Sequence, residues 1–292
     1  MEAEILKKIK TIELNSRKLI NEGLLGFYKS AFKGMGMQFR EFRPYVYGDD
    51  VRHISWSVSA RTQDPVLKLF EEERERSLFM MVDVSASLRR GPIARKKAER
   101  LTEIFGTFAL SAHEAGDNLG LLLYSDAIEK VIPSAFGKTH LLRIIRDVLL
   151  FEPKSTKTDP EVAISKTKQL LKKKSIVILL SDMEKLPSKK SIRQLSQKHD
   201  VIAIHIKQNK NLGSLGSLGF LELESAEGNR PVTINSSSRS IKNYFKSFFK
   251  THDDVVKSLF QSAGADYLSV PIEEDYVKVL RSFFKRRSQR RS

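Results

Sequence analysis

Asp83, Ser85 and Ser87, spaced by two residues in the segment DVSAS, are the residues best placed to do chemistry. One carboxylate and two hydroxyls so spaced can converge on a single hard cation, and an all-oxygen donor set suits Mg2+, Mn2+ or Ca2+ rather than Zn2+. Taken alone, the pattern is ambiguous, because polar residues after a strand also cap the helix that follows. Two further segments add oxygen donors: Thr158-Asp159 in KTDPEVA, and Ser181-Asp182 at the end of SIVILLSD. If all three lie on one edge of a sheet, carboxylates, serine hydroxyls and a threonine hydroxyl surround one point. Waters would complete six-coordination, with one position open to a carboxylate from another molecule.

Elements able to position these groups are legible downstream of residue 77. SLFMMVDV, SIVILL and DVIAIHIK are continuous apolar runs of strand length, the pattern of strands buried on both faces. DNLGLLLYS is a further strand, AIEKVIPSA an edge strand or hairpin arm, and ADYLSVP is strand-like. Amphipathic segments alternate with them: one from Pro92 to about His113, then 138–151, one opening at Pro160, and 188–198. This alternation predicts an α/β fold, a mostly parallel sheet with helices on both faces. Residues 1–32 are expected to be helical and 33–76 to form a small β-rich subdomain. The core would span 77–206, residues 207–285 would complete it in α/β form, and 286–292 would be a disordered basic tail. The short GSL repeat after Lys207 reads as a loop, and FLELE and PVTIN as sheet-edge strands.

The 292 residues suffice for a core without covalent staples. There is no cysteine, which excludes disulfides, thiolate metal sites and a cysteine nucleophile. The N-terminal stretch lacks a signal-peptide core and no apolar run is long enough to cross a membrane, so a cytoplasmic location is expected. Neither a nucleotide-binding signature nor a glycine-flanked serine elbow is present, and the expectation is a binding protein rather than an enzyme. The formal charge of +16 is dispersed over several lysine and arginine runs. It leaves open weak contact with an anionic surface, and an alternative reading as a nucleic-acid or anionic-membrane binder.

Upstream lies a denser block, GMGMQFREFRPYVYGDDVRHISWSVSAR, followed by LKLFEEERERSLFMMVDVSAS. It resembles the hallmark of the bacterial domain-of-unknown-function-58 proteins. That family carries a von Willebrand factor A-like domain, of Rossmann type, and is often encoded beside MoxR-type AAA+ ATPases. The DxSxS, Thr and Asp elements likewise resemble a metal-ion-dependent adhesion site. The resemblance implies a metal held by Asp83, Ser85, Ser87, Thr158 (with Thr156 as a substitute) and Asp182. It also implies a MoxR-like ATPase as partner, in assembly or remodelling of a client protein that could supply the carboxylate. Arg43, Tyr45, Gly48, Asp49, Asp50, Arg52, Trp56 and Arg61 form the family block. They read either as a brace, with Gly48 in a turn, Asp50 paired to Arg52 or Arg61 and Trp56 in the core, or as a docking surface. A structural scaffold with a vestigial metal site is the remaining alternative.

Overall fold

The computed structural model describes residues 25–32, 37–72, 76–88, 92–208, 220–223, 232–235 and 237–291. Of the helix expected over 1–32, only α1 (Leu25–Ala31) falls within them, and the GSL repeat lies outside them. β1 (Met37–Pro44) and β2 (Val66–Glu72) pair antiparallel, and between them run a single 3-10 turn (Val51–His53) and a short helix α2 (Trp56–Thr62).

The chain then alternates strand and helix: β3 (Ser77–Asp83), α3 (Pro92–Ala115), β4 (Asn118–Tyr124), β5 (Ile128–Ala135), α4 (Lys138–Leu150), α5 (Pro160–Leu170), β6 (Ile176–Ser181), α6 (Lys189–Lys198) and β7 (Asp200–Lys207). A separate two-stranded pair, β8 (Phe220–Leu223) with β9 (Val232–Asn235), precedes α7 (Arg239–Ser262), β10 (Asp266–Pro271) and α8 (Tyr276–Arg291). Within FLELE and PVTIN, the described residues Phe220–Leu223 and Val232–Asn235 therefore pair with each other instead of adding to the central sheet.

That sheet has six strands in the order β10-β7-β6-β3-β4-β5. All neighbours are parallel except β5, which runs antiparallel to β4 at one edge. β10 forms the opposite edge, so the C-terminal region completes the sheet. Side chains alternate across it. Leu78, Met80 and Val82 of β3 join a core with Tyr28, Phe105, Phe108, Ile144, Leu280 and Phe284, under α1, α3, α4 and α8. Phe79 and Met81 join the opposite core with Ile164, Ile192, Leu195, Val256 and Phe260, under α5, α6 and α7. Burial on both faces is why β3 carries no polar residue between Ser77 and Asp83.

From β3 the chain passes through α3 to β4 on one side, while β6 lies on the other. The crevice between the C-terminal ends of β3 and β6 is thus a topological switch point, where open α/β sheets bind ligands.

Gly120 in β4 shows how closely the core is packed. A Cβ there would stand 2.5 Å from Ser134 Oγ and 2.6 Å from Phe79 Cδ2. Gly120→Ala is expected to cost about 1–3 kcal/mol through overpacking. The measurement is the urea midpoint, which should fall at constant m-value.

The expected disordered tail is corrected. α8 continues to Arg291, and Arg287 is buried. Its guanidinium pairs with Asp200 and, at 2.7 Å, with Asp266, and lies over the Phe32 ring. The basic run turns inward there because α8, returning antiparallel to β10, brings its end back to the edge where β7 and β10 begin with these aspartates.

Candidate metal centre

β3 ends at Asp83, and the chain turns at once. The Ser85 amide donates to Asp83 Oδ1 at 3.0 Å, closing a turn that only a short acceptor side chain can make. A 3-10 turn, Ala86–Leu88, follows, with Leu88 N donating to Ser85 O. Ser85 Oγ and Ser87 Oγ lie 3.1 Å apart. Asp83, Ser85 and Ser87 are all buried.

β6 ends alongside. Ser181 Oγ donates to Asp83 Oδ2 at 2.8 Å and accepts from Met183 N at 3.0 Å. Met183 is buried with φ +56, a left-handed conformation that costs a side-chain-bearing residue roughly 1 kcal/mol or more. The packing holds this strained turn, and it fixes where Asp182 points. The loop before α5 completes the edge. Ala86 N donates to Thr156 O at 3.2 Å and Asp159 N to Ser125 O at 2.9 Å, while Asp159 caps α5 through Glu161 N with Pro160 in its first turn. The first of these bonds ties the loop to the serine turn, and the second ties it to the end of β4. Thr158 is buried, whereas Thr156 is exposed and contributes its backbone carbonyl.

Electrostatically the edge is short of positive charge. Burial, reinforced by the nearby Asp182 carboxylate, pushes the Asp83 carboxyl up to about 7 against the pull of Ser85 and Ser181. The Tyr124 phenol, buried beside Asp83, is pushed up for the same reasons. Among the described residues, Thr158 Oγ1 and Asp182 Oδ1 are buried without a hydrogen-bond partner. Such orphaned oxygens are costly, and an ion or water accounts for most of them in folded proteins. The donor set is compatible with one hard divalent ion. It contains two carboxylates, the rest being hydroxyls, so no cluster of three or more His, Cys, Asp or Glu side chains arises among the described residues.

One participant is absent from the sequence-based set. Lys97 of α3 is buried, and its Nζ donates to Asp182 Oδ2 at 2.7 Å, with Glu184 Oε1 at 3.6 Å. Asp126, after β4, sits in an exposed turn. His205 is a buried residue bonded through Nδ1 to the Tyr267 hydroxyl at 2.8 Å. Burial holds its imidazole down to about 4 even with Asp253 and Asp182 pulling the other way.

Residues 41–255 match a protein family described as "Protein of unknown function DUF58". The chain belongs to the DUF58 family. Over 272 residues it is 25% identical to an uncharacterized protein of Mycobacterium tuberculosis, a match covering 92% of this chain and 85% of that one. It is also similar to the crystal structure of the conserved hypothetical protein BatB from Bacteroides thetaiotaomicron, at 10% identity and a TM-score of 0.43, covering 73% of this chain and 99% of that one. A von Willebrand factor type A structure from Catenulispora acidiphila is similar at 9% identity and a TM-score of 0.40, covering 73% and 42%.

In this DUF58 chain the block upstream of β2 is a locally braced knob. Arg43 holds Asp49 through two bonds, of 2.8 and 2.7 Å, and Asp49 also accepts from Val46 N. Asp50 pairs with Arg52 and caps the 3-10 turn, Gly48 turns the chain at φ +105, and Tyr45 N donates to Pro65 O. Arg61 is exposed. Trp56, expected in the core, is 71% exposed, and Tyr47 is 99% exposed, with Val46 and Val51 beside them in sequence and also exposed. Among the described residues, the two-stranded sheet and its one short helix leave them uncovered.

Proposed function

We propose that this chain is a non-enzymatic protein-binding module whose contact to its partner passes through a divalent metal. Asp83, Ser85, Ser87, Thr158 and Asp182 would hold Mg2+, or Mn2+ or Ca2+, at the crevice between β3 and β6. The observation that carries this reading is the pair of orphaned buried oxygens, Asp182 Oδ1 near an Asp83 carboxyl that burial pushes up to about 7, and Thr158 Oγ1 in the loop bonded to the serine turn. A bound divalent ion supplies the positive charge these groups want and an open position for a partner's carboxylate. The residues themselves fix donor directions: Ser181 and the Ser85 amide orient Asp83, and the strained turn at Met183 aims Asp182.

The family resemblance nominates a MoxR-type AAA+ ATPase as the partner, with assembly or remodelling of a client protein as the task. In this reading the ATPase supplies the energy. The exposed Tyr47 and Trp56 favour a second contact surface at the braced knob, since aromatic residues are enriched at protein interfaces. Among the described residues no helix is long and apolar enough to cross a membrane.

The test is calorimetric titration with the genomically adjacent MoxR-type ATPase, in Mg2+ and then in EDTA, using Asp83→Ala and Trp56→Ala proteins. Metal-bridged binding is expected to disappear in EDTA and in Asp83→Ala. Binding that ignores both but is weakened by Trp56→Ala would place the interface on the knob. Steeply salt-dependent binding to nucleic acid or anionic vesicles, indifferent to chelator, would instead favour a basic-surface function.

A further inference from the structure

Lys97 sits where a metal site gains nothing from a positive charge. Its side chain is 8% exposed and that of its partner Asp182 only 2%, so the pair is well removed from water. Burying an ammonium and a carboxylate together is weak as a stabilising device, because desolvation offsets most of the attraction. The pair therefore calls for a role in the site. Asp182 is divided: Oδ2 receives Lys97 Nζ at 2.7 Å, while Oδ1 has no partner among the described residues. Asp83, whose Oδ2 is already engaged by Ser181, has no lysine of its own.

The charges follow from these contacts. With Asp83 and Asp182 ionised and Lys97 protonated, the buried set carries one net negative charge. A divalent ion converts that to one net positive charge. Without Lys97 the loaded set would be neutral. Glu184, at 3.6 Å from Lys97 and 42% exposed, is too solvated to remove the difference.

We infer that Lys97 is a tethered counter-ion of the site, holding Asp182 when no metal is present, weakening metal binding, and leaving the loaded site one negative charge short until an anionic partner arrives. This inference rests on the metal-dependent reading above and deepens it. It makes metal and carboxylate binding mutually reinforcing, each raising the affinity for the other by the same factor. A module built this way releases its metal when alone and retains it when docked.

The probe is Mn2+ alone, followed through the loss of the free-ion electron paramagnetic resonance signal, and then Mn2+ with sodium acetate as the simplest carboxylate. Lys97→Gln removes the charge and keeps a donor for Asp182. Lys97→Met removes both, and Lys97→Arg keeps the charge. Near-parental far-UV circular dichroism of Lys97→Gln provides the folding control, and Lys97→Met repeats the test if the glutamine perturbs the turn. The neutral variants are expected to bind Mn2+ about tenfold more tightly than the parent or better, while Lys97→Arg stays near it. Acetate is expected to tighten Mn2+ binding to the parent more than to the neutral variants. Equal or weaker Mn2+ binding by the neutral variants, with the parent still binding, would overturn the role of Lys97 and leave the metal site standing. Failure of parent and variants alike to bind Mn2+ would overturn both.

Discussion

An Asp83→Asn protein is expected to be more stable than the parent at pH 8 and indifferent to Mg2+. Asp83 titrates near its ordinary value, 3.8, in the unfolded chain and near 7 in the folded one. Between those values the unfolded chain has released a proton that the folded protein still holds, so stability falls as pH rises; below them the group contributes nothing. Above pH 7 the whole penalty is present, on the order of a few kcal/mol. Asparagine reproduces the protonated acid: its oxygen accepts from Ser85 N and its amide donates to Ser181 Oγ. The penalty disappears, and a metal ligand disappears with it. The parent should regain stability in Mg2+, by about 2.7 kcal/mol at a hundredfold excess over Kd. His205 gives an internal control of opposite sign. Its folded value of about 4 lies below the ordinary 6.5, so its contribution is complete above pH 6.5 and is lost as pH falls toward 4. The two slopes oppose each other in the parent. Asp83→Asn should remove the falling limb and leave stability rising from pH 4 to 6.5, through His205 and through His199, which burial also holds below its ordinary value. Urea midpoints at several pH values, in EDTA and in Mg2+, measure all of this. An Asp83→Asn protein less stable than the parent at pH 8, or stabilised by Mg2+ as much as the parent, would sink the reading.

The sheet, and the edge that gathers the candidate ligands, were legible in the sequence because strands buried on both faces carry few polar residues between their ends, His205 of β7 being an exception that finds a partner in Tyr267. In SLFMMVDV and SIVILLSD, Asp83, Ser181 and Asp182 are those ends, and the switch between β3 and β6 brings them together. Lys97 was not legible. It belongs to the run Arg95-Lys96-Lys97, of which Arg95 and Lys96 are exposed. Only the rotation of α3 against the end of β6, far along the chain, selects which of the three enters the site. Trp56 misled for a different reason. Its apolarity argues for burial wherever a core exists, but the described residues of the knob leave it open to solvent. Composition records that a residue prefers to be covered and does not reveal whether its own chain covers it, which is why an exposed Trp56 is more informative about partners than a buried one would have been.

Replacing Arg287 with methionine is expected to cost about 3–5 kcal/mol, because it takes the guanidinium charge away from the buried Asp200 carboxylate. Asp266, about one third exposed, can recover solvent; Asp200, nearly buried, cannot. For a protein of this size the loss corresponds to a fall in Tm of about 10 °C, at roughly 2–4 °C per kcal/mol. The double variant Arg287→Met with Asp200→Asn removes both charges and should recover most of the loss, since a well-filled neutral replacement of a buried ion pair is often tolerated. A single variant within about 1 kcal/mol of the parent would mean that α8 detaches at little cost. That outcome matters for function as well as for the fold. Arg287 also stacks over Phe32, next to α1, and Tyr28 of α1 donates to Asp117, which Arg76 holds at 2.9 Å. The chain of contacts ties α1 and α8 to the edge of the sheet opposite the candidate metal centre. Most of the basic surplus that argues for an anionic surface lies outside this network, but Arg76 and Arg287 lie within it. Their charge is therefore committed to internal carboxylates, and a steeply salt-dependent ligand would have to find its contacts elsewhere.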